Sequence, residues 1–529
     1  MEENDSEKII FPIIFVLTFA GSTFAVSSKF IDAEITPKFY ITIAGVLLFL
    51  LFFVFKPEIF RSSTLKIPFI LKGIFLTITV QSIYGILQKA SIIESNHPFF
   101  ALTGSFENPA GFSAALSISF PIGLFLSLNS KKAERNFYVF CLVIVCLALF
   151  LSGSRSGILS IITSSLVLLI LHSDSIKKTI LKKKRISILI IFFLILLAIT
   201  LFYSKQNSAT SRLYIWEISI EIIKDKPILG HGYDKFKAVF MDYQAKYFIS
   251  NPNSGYSFFA DNEKHPFNEF LKFIVEFGII GFAILLILIV FWFRKVIKSA
   301  NKLKCISISG MTAFLTFAFF SYPLQYPPIW LLLALYLTLP FTLNVSYHKW
   351  LSWFIRPLVL VICTFGTIYY SQKMISELKW KRISEKSLDG ETIAMLAEYA
   401  KLKTSLNTNP YFLYNYGAEL NVAGKYNESI QVLKECKSKF NDYDLQMLLA
   451  DNYYNIGEID TSIQTYVYAS NMIPCRFLPL YHLFDIYRET KQDRKAEKLA
   501  LNIVNKKVKI PSNTIRQIKS IAREYLDSQ

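Results

Sequence analysis

Long apolar runs alternate with short polar breaks over the first 370 residues, and then the pattern changes. Runs of about 20 apolar residues, the length that crosses a bilayer as a helix, recur near 9–29, 39–55, 67–87, 112–128, 136–152, 156–172, 186–203, 267–292, 304–320, 328–345 and 351–370. The pattern predicts about eleven membrane spans. The run at 67–87 is the weakest, because Lys72 falls inside it. One polar break, 204–266, is far longer than the rest. From about residue 385 the apolar runs give way to amphipathic helices. There, Gly424-Lys-Tyr426, Gly457-Glu-Ile459 and Lys491-Gln-Asp493 mark steps of about 34 residues, the spacing of tetratricopeptide-like helix–turn–helix repeats. Pro410 and Pro474 sit near unit boundaries. Tyr414, Tyr416, Gly417 and Ala418 ahead of Leu420 correspond to Ala450, Tyr453, Tyr454 and Gly457 one unit on. The expectation is an all-α protein: residues 1–370 a polytopic helical bundle with the large loop 204–266, residues 371–389 a linker, and residues 390–529 about three helical repeats. Such a stack offers a concave surface for a protein partner, or serves as a rigid cap or dimerisation element.

The chain has 529 residues, 53% of them hydrophobic, with a net charge of +18. That charge invites a nucleic-acid reading, and its distribution excludes one. Basic residues cluster in alternate loops: Lys56, Arg61 and Lys66; Lys131, Lys132 and Arg135; Lys177, Lys178, Lys182, Lys183, Lys184 and Arg185; Arg294, Lys295, Lys298, Lys302 and Lys304; then Lys349. This is the positive-inside pattern. It places those loops and the N-terminus in the cytoplasm, and 88–111, 204–266 and everything after about 370 outside. The acidic start, Met1 to Lys8, lacks the basic region of a cleavable signal, so the first span is expected to be retained. None of the six cysteines forms a Cys-x-x-Cys pair and no zinc spacing occurs; Cys436 and Cys475 lie in the outer region, where pairing is open.

Four outer segments carry candidate chemistry. Gly104-Ser-Phe106-Glu107-Asn108-Pro109 reads as a turn entering a helix, with Asn108 at its start. In Ser152-Gly153-Ser154-Arg155-Ser156-Gly157, a guanidinium at membrane depth is joined by hydroxyls such as Ser154 and by glycine-exposed amides, a combination that suits phosphate oxygens. In the long loop, Ser211 is positioned to cap a helix running to about Lys224, on which Arg212 and Trp216 share a face. Gly230-His231-Gly232-Tyr233 forms the turn beyond Pro227. Finally, His265 precedes Pro266, which suits a first helical turn. A cap position there would use the helix dipole to keep the imidazole neutral near pH 7, able to take a proton from an attacking hydroxyl, with Asn268 one turn on to orient it or to hold a sugar. Two guanidiniums and an imidazole on one side suit transfer from a diphosphate leaving group. Asp32-Ala-Glu34, in the first outer loop, is an acidic pair of the kind that can hold a metal, and it stands as the competing feature.

In their order and shared outer side, Gly-Ser-Phe106-Glu-Asn108-Pro109, Ser152-Gly-Ser-Arg155-Ser-Gly157, Arg212-x-x-x-Trp216, Gly230-His-Gly232-Tyr-Asp-Lys-Phe236, and His265-x-x-Asn268-x-x-Leu271 with Glu276-x-Gly278-x-x-Gly281 resemble the O-antigen ligase family. The resemblance covers roughly residues 10–370. It implies a GT-C-like glycosyltransferase of the bacterial inner membrane, metal-independent, inverting and free of cofactors, that takes glycan from undecaprenyl diphosphate. The acceptor would be lipid A-core or a protein Ser/Thr hydroxyl. By position, Arg155 and Arg212 would bind diphosphate and His265 would be the base, supported by Asn108, Ser154, Trp216, His231 and Asn268. Glu107 departs from the small residue expected before Asn108. A polysaccharide polymerase is the alternative within this chemistry, and the single dominant loop leans toward ligase. A transporter or scaffold would want polar residues at mid-span, whereas here they gather at the outer ends of the runs.

Overall fold

The computed structural model describes residues 7–55, 66–173, 205–341 and 349–528, with scattered positions between 188 and 203. The expected span at 186–203 and the basic clusters at Lys56–Arg61 and Lys177–Arg185 lie largely outside the described residues. Among these, the structure is helical throughout, without a strand. Seven helices are long and apolar enough to cross a membrane, and three more apolar helices are shorter. The protein is therefore a multi-pass helical membrane protein.

The chain divides into two compact units. One comprises residues 1–204, 267–270 and 284–378; the other comprises 205–266, 271–283 and 379–529.

The first unit holds α1 (Glu7–Phe24), α2 (Ile35–Phe55), α3 (Ile67–Lys89), α4 (Pro109–Asn129), α5 (Lys132–Ser152) and α6 (Arg155–His172). It also holds most of α9 (Glu269–Lys298), α10 (Lys304–Phe320), α11 (Pro327–Thr338) and the larger part of α12 (Lys349–Lys386). Helix α4 is central because its small residues, Ser113, Ala114, Ala115, Ser117 and Ser119, are all buried and let neighbours approach closely. Helices α6 and α10 pair by the same logic. Ser160 Oγ donates to the Ala313 carbonyl at 2.7 Å, Ser309 Oγ to the Ser164 carbonyl at 2.5 Å, and the Thr163 and Thr316 hydroxyls meet at 3.1 Å. Lys72 does not break α3: it lies on an exposed face and pairs with Glu134 of α5 at 3.3 Å. The outward faces are apolar, as lipid requires. Phe140, Val143 and Phe150 on α5, and Ile287 and Phe291 on α9, are all exposed.

Lys38, in the first turn of α2, is fully buried. Its ammonium donates to the carbonyls of Ala25 at 2.6 Å and Ser105 at 2.8 Å and lies over the Phe106 ring. It thereby pins the Gly104–Pro109 turn. Replacing Lys38 by Met leaves two buried carbonyls without that donor. The expected loss is about 2 kcal/mol or more in stability, read as a lower thermal midpoint of the detergent-solubilised protein.

The second unit contains α7 (Gln206–Asp225) and α8 (Phe236–Ser250), so the long loop is folded. Its C-terminal part begins where α12 runs on: the expected linker 371–389 is helical through Lys386 and ends in a short π turn at Ser387–Glu391. No glycine or proline falls between residues 371 and 386 to stop the helix. Beyond it lie α13 (Thr392–Leu406), α14 (Pro410–Val422), α15 (Tyr426–Lys437), α16 (Tyr443–Asn455), α17 (Ile459–Met472), α18 (Leu478–Glu489), α19 (Asp493–Asn505) and α20 (Asn513–Asp527). Three hairpins, α14–α15, α16–α17 and α18–α19, turn at Gly424, Gly457 and Lys491, each with positive φ (73°, 83° and 54°). The first two share an internal hydrogen bond: Ser429 Oγ to the Gly417 carbonyl (2.7 Å) and Ser462 Oγ to the Ala450 carbonyl (2.8 Å). Cys436 and Cys475 are both free thiols here, and Cys436 Sγ lies 3.1 Å from the Pro410 carbonyl.

Candidate active site

In the membrane-helix unit, Asn108 caps α4. Its Oδ1 accepts from the amides of Ala110 (2.8 Å) and Gly111 (3.2 Å) and from the Tyr326 hydroxyl (3.0 Å). Its Nδ2 donates to Glu107 at 2.9 Å. The Gly104 backbone is clamped by Gln88, whose Oε1 accepts from the Gly104 amide at 2.6 Å and whose Nε2 donates to the Gly104 carbonyl at 3.0 Å. These groups are spent on holding the turn, so Asn108 is a scaffold residue. In the same unit, Ser154 caps α6 by accepting from the Gly157 amide at 3.2 Å. Arg155 is the first residue of that helix and half-buried, with a long contact of 3.5 Å to the Phe202 carbonyl. A guanidinium at the positive end of a helix is set to meet an anion. Asn268, buried just before α9, also belongs to this unit.

The second unit gathers Arg212, Trp216, His231 and His265. Helix α7 starts at Gln206, six residues earlier than expected, so Ser211 lies inside it and is not its N-cap. Polar Gln206, Asn207 and Ser208 extend the helix ahead of the amphipathic stretch. Arg212 and Trp216 remain one turn apart, and Trp216 Nε1 donates to the Pro266 carbonyl at 2.8 Å, latching α7 to the segment that carries His265. His231 has a structural role: its Nε2 lies 3.1 Å from the Ile222 carbonyl, closing the last turn of α7.

His265 does not cap a helix. Phe267 takes a left-handed conformation (φ 54°) and α9 begins at Glu269. The imidazole is nonetheless held neutral, for a different reason. Burial pushes its pKa down to about 3, and the ammonium groups of Lys272, Lys237 and Lys264 push the same way. Glu263, two residues upstream, went unnoticed in the sequence. Burial and the neighbouring Asp261 push its carboxyl up to about 7, against the pull of Lys509 and Arg212. One loop therefore presents an imidazole whose pKa is held low and a carboxyl whose pKa is held high.

The glycine motifs also interlock. Helix α9 is broken at Gly278 (φ 65°, ψ −172°). The break frees the carbonyls of Val275 and Glu276, which accept from the amides of His231 and Gly232 at 2.9 Å each. It also frees the amides of Ile279 and Ile280, which donate to the carbonyls of Pro227 (2.8 Å) and Ile228 (3.3 Å). The loop thus replaces the missing helical bonds on both sides of the break.

Asp32 Oδ1 accepts from the amides of Glu34 (3.1 Å) and Ile35 (2.8 Å) and so starts α2. Among the described residues, no three His, Cys, Asp or Glu side chains group as metal ligands.

A multi-pass helical membrane protein with a cation-rich polar site beside a broken apolar helix is the class these features define. Residues 140–286 match the family model for O-antigen ligase, and this stretch contains Arg155, Arg212, His265 and the interlock. The chain is also 24% identical over 201 residues to a Rickettsia conorii protein named as a polysaccharide ligase; the match covers 36% of this chain and 46% of that protein, so the chain spans about half the length of this relative.

Proposed function

We propose that the protein transfers a glycan en bloc from undecaprenyl diphosphate to an acceptor hydroxyl at the outer face of the bacterial cytoplasmic membrane. The N-terminus then lies in the cytoplasm, and the 204–266 segment and the C-terminal repeats lie outside. The observation that carries this reading is the match of residues 140–286, which contain His265, Arg155 and Arg212, to the O-antigen ligase model. The acceptor oxygen attacks the anomeric carbon and its proton passes to His265. The bond from that carbon to the diphosphate oxygen breaks, and undecaprenyl diphosphate departs with the bonding electrons. Attack opposite the leaving group inverts the anomeric centre. Arg155 and Arg212 offset the charge that develops on the diphosphate, which makes a metal unnecessary. Lipid A-core and protein Ser/Thr hydroxyls both fit as acceptor, and the repeat hairpins offer a surface for a protein that is, or delivers, the acceptor.

Purified full-length protein, given undecaprenyl-diphosphate-linked glycan with lipid A-core or a Ser/Thr peptide, is expected to produce the glycosylated acceptor in the absence of added metal. Transfer to neither acceptor, with elongation of the glycan on its carrier instead, would establish the polymerase reading. In a deletion strain the ligase reading predicts long chains accumulating on the carrier, while loss of a polymerase leaves single units on the acceptor.

A further inference from the structure

The 205–266 segment and the C-terminal repeats belong to one compact unit, and a row of hydrogen bonds joins them. Helix α8 packs against α17. At this seam Asp242 of α8 accepts at Oδ1 from Asn441 Nδ2 (2.7 Å) and from the Tyr468 hydroxyl. Asn441, in the connection between α15 and α16, is only 1% exposed and is engaged on every side. Its amide donates to the Lys237 carbonyl at 3.1 Å, and its Oδ1 accepts from Gln446 Nε2 at 2.7 Å. Two residues beyond Asp242, Gln244 is fully buried. Its Nε2 donates to the Met472 carbonyl at the end of α17 (2.7 Å) and to the Asp261 carbonyl (3.1 Å), four residues ahead of His265. The segment leading to His265 continues the row. The Asp261 carboxylate meets Arg476 at 3.5 Å, Asn262 Oδ1 accepts from the Tyr443 amide at 3.0 Å, and the Lys264 ammonium lies over the rings of Tyr411 (4.9 Å) and Phe440 (5.6 Å). An apolar seam is non-directional and holds in several registers. Buried amides hold in one, because any slide strands donors and acceptors away from water. None of these bonds involves α7, which carries Arg212.

We infer that the C-terminal repeats brace the histidine-bearing loop, and that Gln244 and Asn441 are positioning residues that fix where His265 meets the acceptor hydroxyl. The inference rests on the proposed role of His265 and gives the repeats a task inside the enzyme. Their α8-facing side is filled by the chain's own loop, which leaves their other faces to a protein partner. The repeat period reveals the hairpins but not what they hold, since Asp242 and Asn441 stand 199 residues apart in sequence.

The test uses the full-length protein in nanodiscs. Asn441→Asp sets two carboxylates face to face at the seam, and Gln244→Met removes both donated bonds while keeping the side chain's length. Each variant is expected to lower kcat about 10- to 100-fold, the effect of a base displaced by about an ångström, with donor KM within about twofold of wild type. Amide hydrogen exchange over residues 260–265 is expected to speed up in step. Adding Asp242→Asn to Asn441→Asp again sets an amide opposite a carboxylate, and is expected to return both readouts toward wild type. Asn421→Ala is the control for general loosening of the repeats: Asn421 Nδ2 donates to Asp451 (2.7 Å) and Asn452 (3.1 Å), away from the seam. It is expected to lower the thermal midpoint and keep kcat. Unchanged exchange over 260–265 in both seam variants would overturn the inference, and so would a loss of kcat in Asn421→Ala as large as theirs. A His265→Ala protein as active as wild type removes the proposed reaction instead, and the exchange data still decide whether the repeats hold the loop.

Discussion

Replacing His265 by Ala is expected to lower glycan transfer by about 10²- to 10⁴-fold, the contribution of a positioned proton acceptor. The loss falls on kcat, because the imidazole meets the acceptor's proton only as the new bond forms, whereas donor binding depends on the surrounding cations. The fold tolerates the change. His265 adjoins Pro266, whose carbonyl accepts from Trp216 Nε1 and so holds the segment without the imidazole. Initial rates at saturating donor, with thermal midpoints measured alongside, separate chemistry from folding. A variant with wild-type kcat takes the imidazole out of the mechanism.

The second large effect concerns Gly278. A Cβ at this position would stand 2.1 Å from the Ile228 carbonyl oxygen and 2.4 Å from its carbon, both backbone atoms that cannot swing aside. The φ of 65° with ψ near 180° is also a region that only glycine occupies without strain. Gly278→Ala therefore pushes the Pro227–Gly232 strap off α9 and leaves the amides of Ile279 and Ile280 and the carbonyls of Val275 and Glu276 without partners. The expected cost is about 3 kcal/mol or more, enough to abolish transfer or the folded protein. Gly255→Ala is the control, since nothing lies within 4 Å of its added Cβ. Thermal midpoints of the two variants are expected to differ by many degrees; equal midpoints would show that the break in α9 is not held by the strap.

The helices and the hairpin turns were readable in the sequence because both are local. An apolar run of span length needs no partner to be recognised, and a turn that requires positive φ selects glycine at Gly424 and Gly457 wherever the rest of the chain goes. Errors came where local signals competed with distant contacts. Ser211 looked like a cap, yet the polar residues before it continue α7. Pro266 looked like a first helical residue, yet Phe267 turns the chain left-handed and α9 starts later. The neutrality of His265 followed from the sequence, but its cause is burial and lysine charge in place of a helix dipole. The glycine motifs at 230–232 and 278 were visible as motifs, while their interlock was not, because nothing in either motif encodes the register of the other. Glu263 and Lys272 were missed for the same reason: their significance comes from what surrounds them in space.

The central claim is that the histidine-bearing loop works outside the cytoplasmic membrane, where the lipid-linked donor presents its diphosphate. Asn253, in the exposed turn after α8, reports on that loop directly. In a chain whose six native cysteines are replaced, Asn253→Cys is expected to react with a membrane-impermeant maleimide in intact spheroplasts. Labelling that occurs only after the membrane is permeabilised would put His265 in the cytosol and contradict the account.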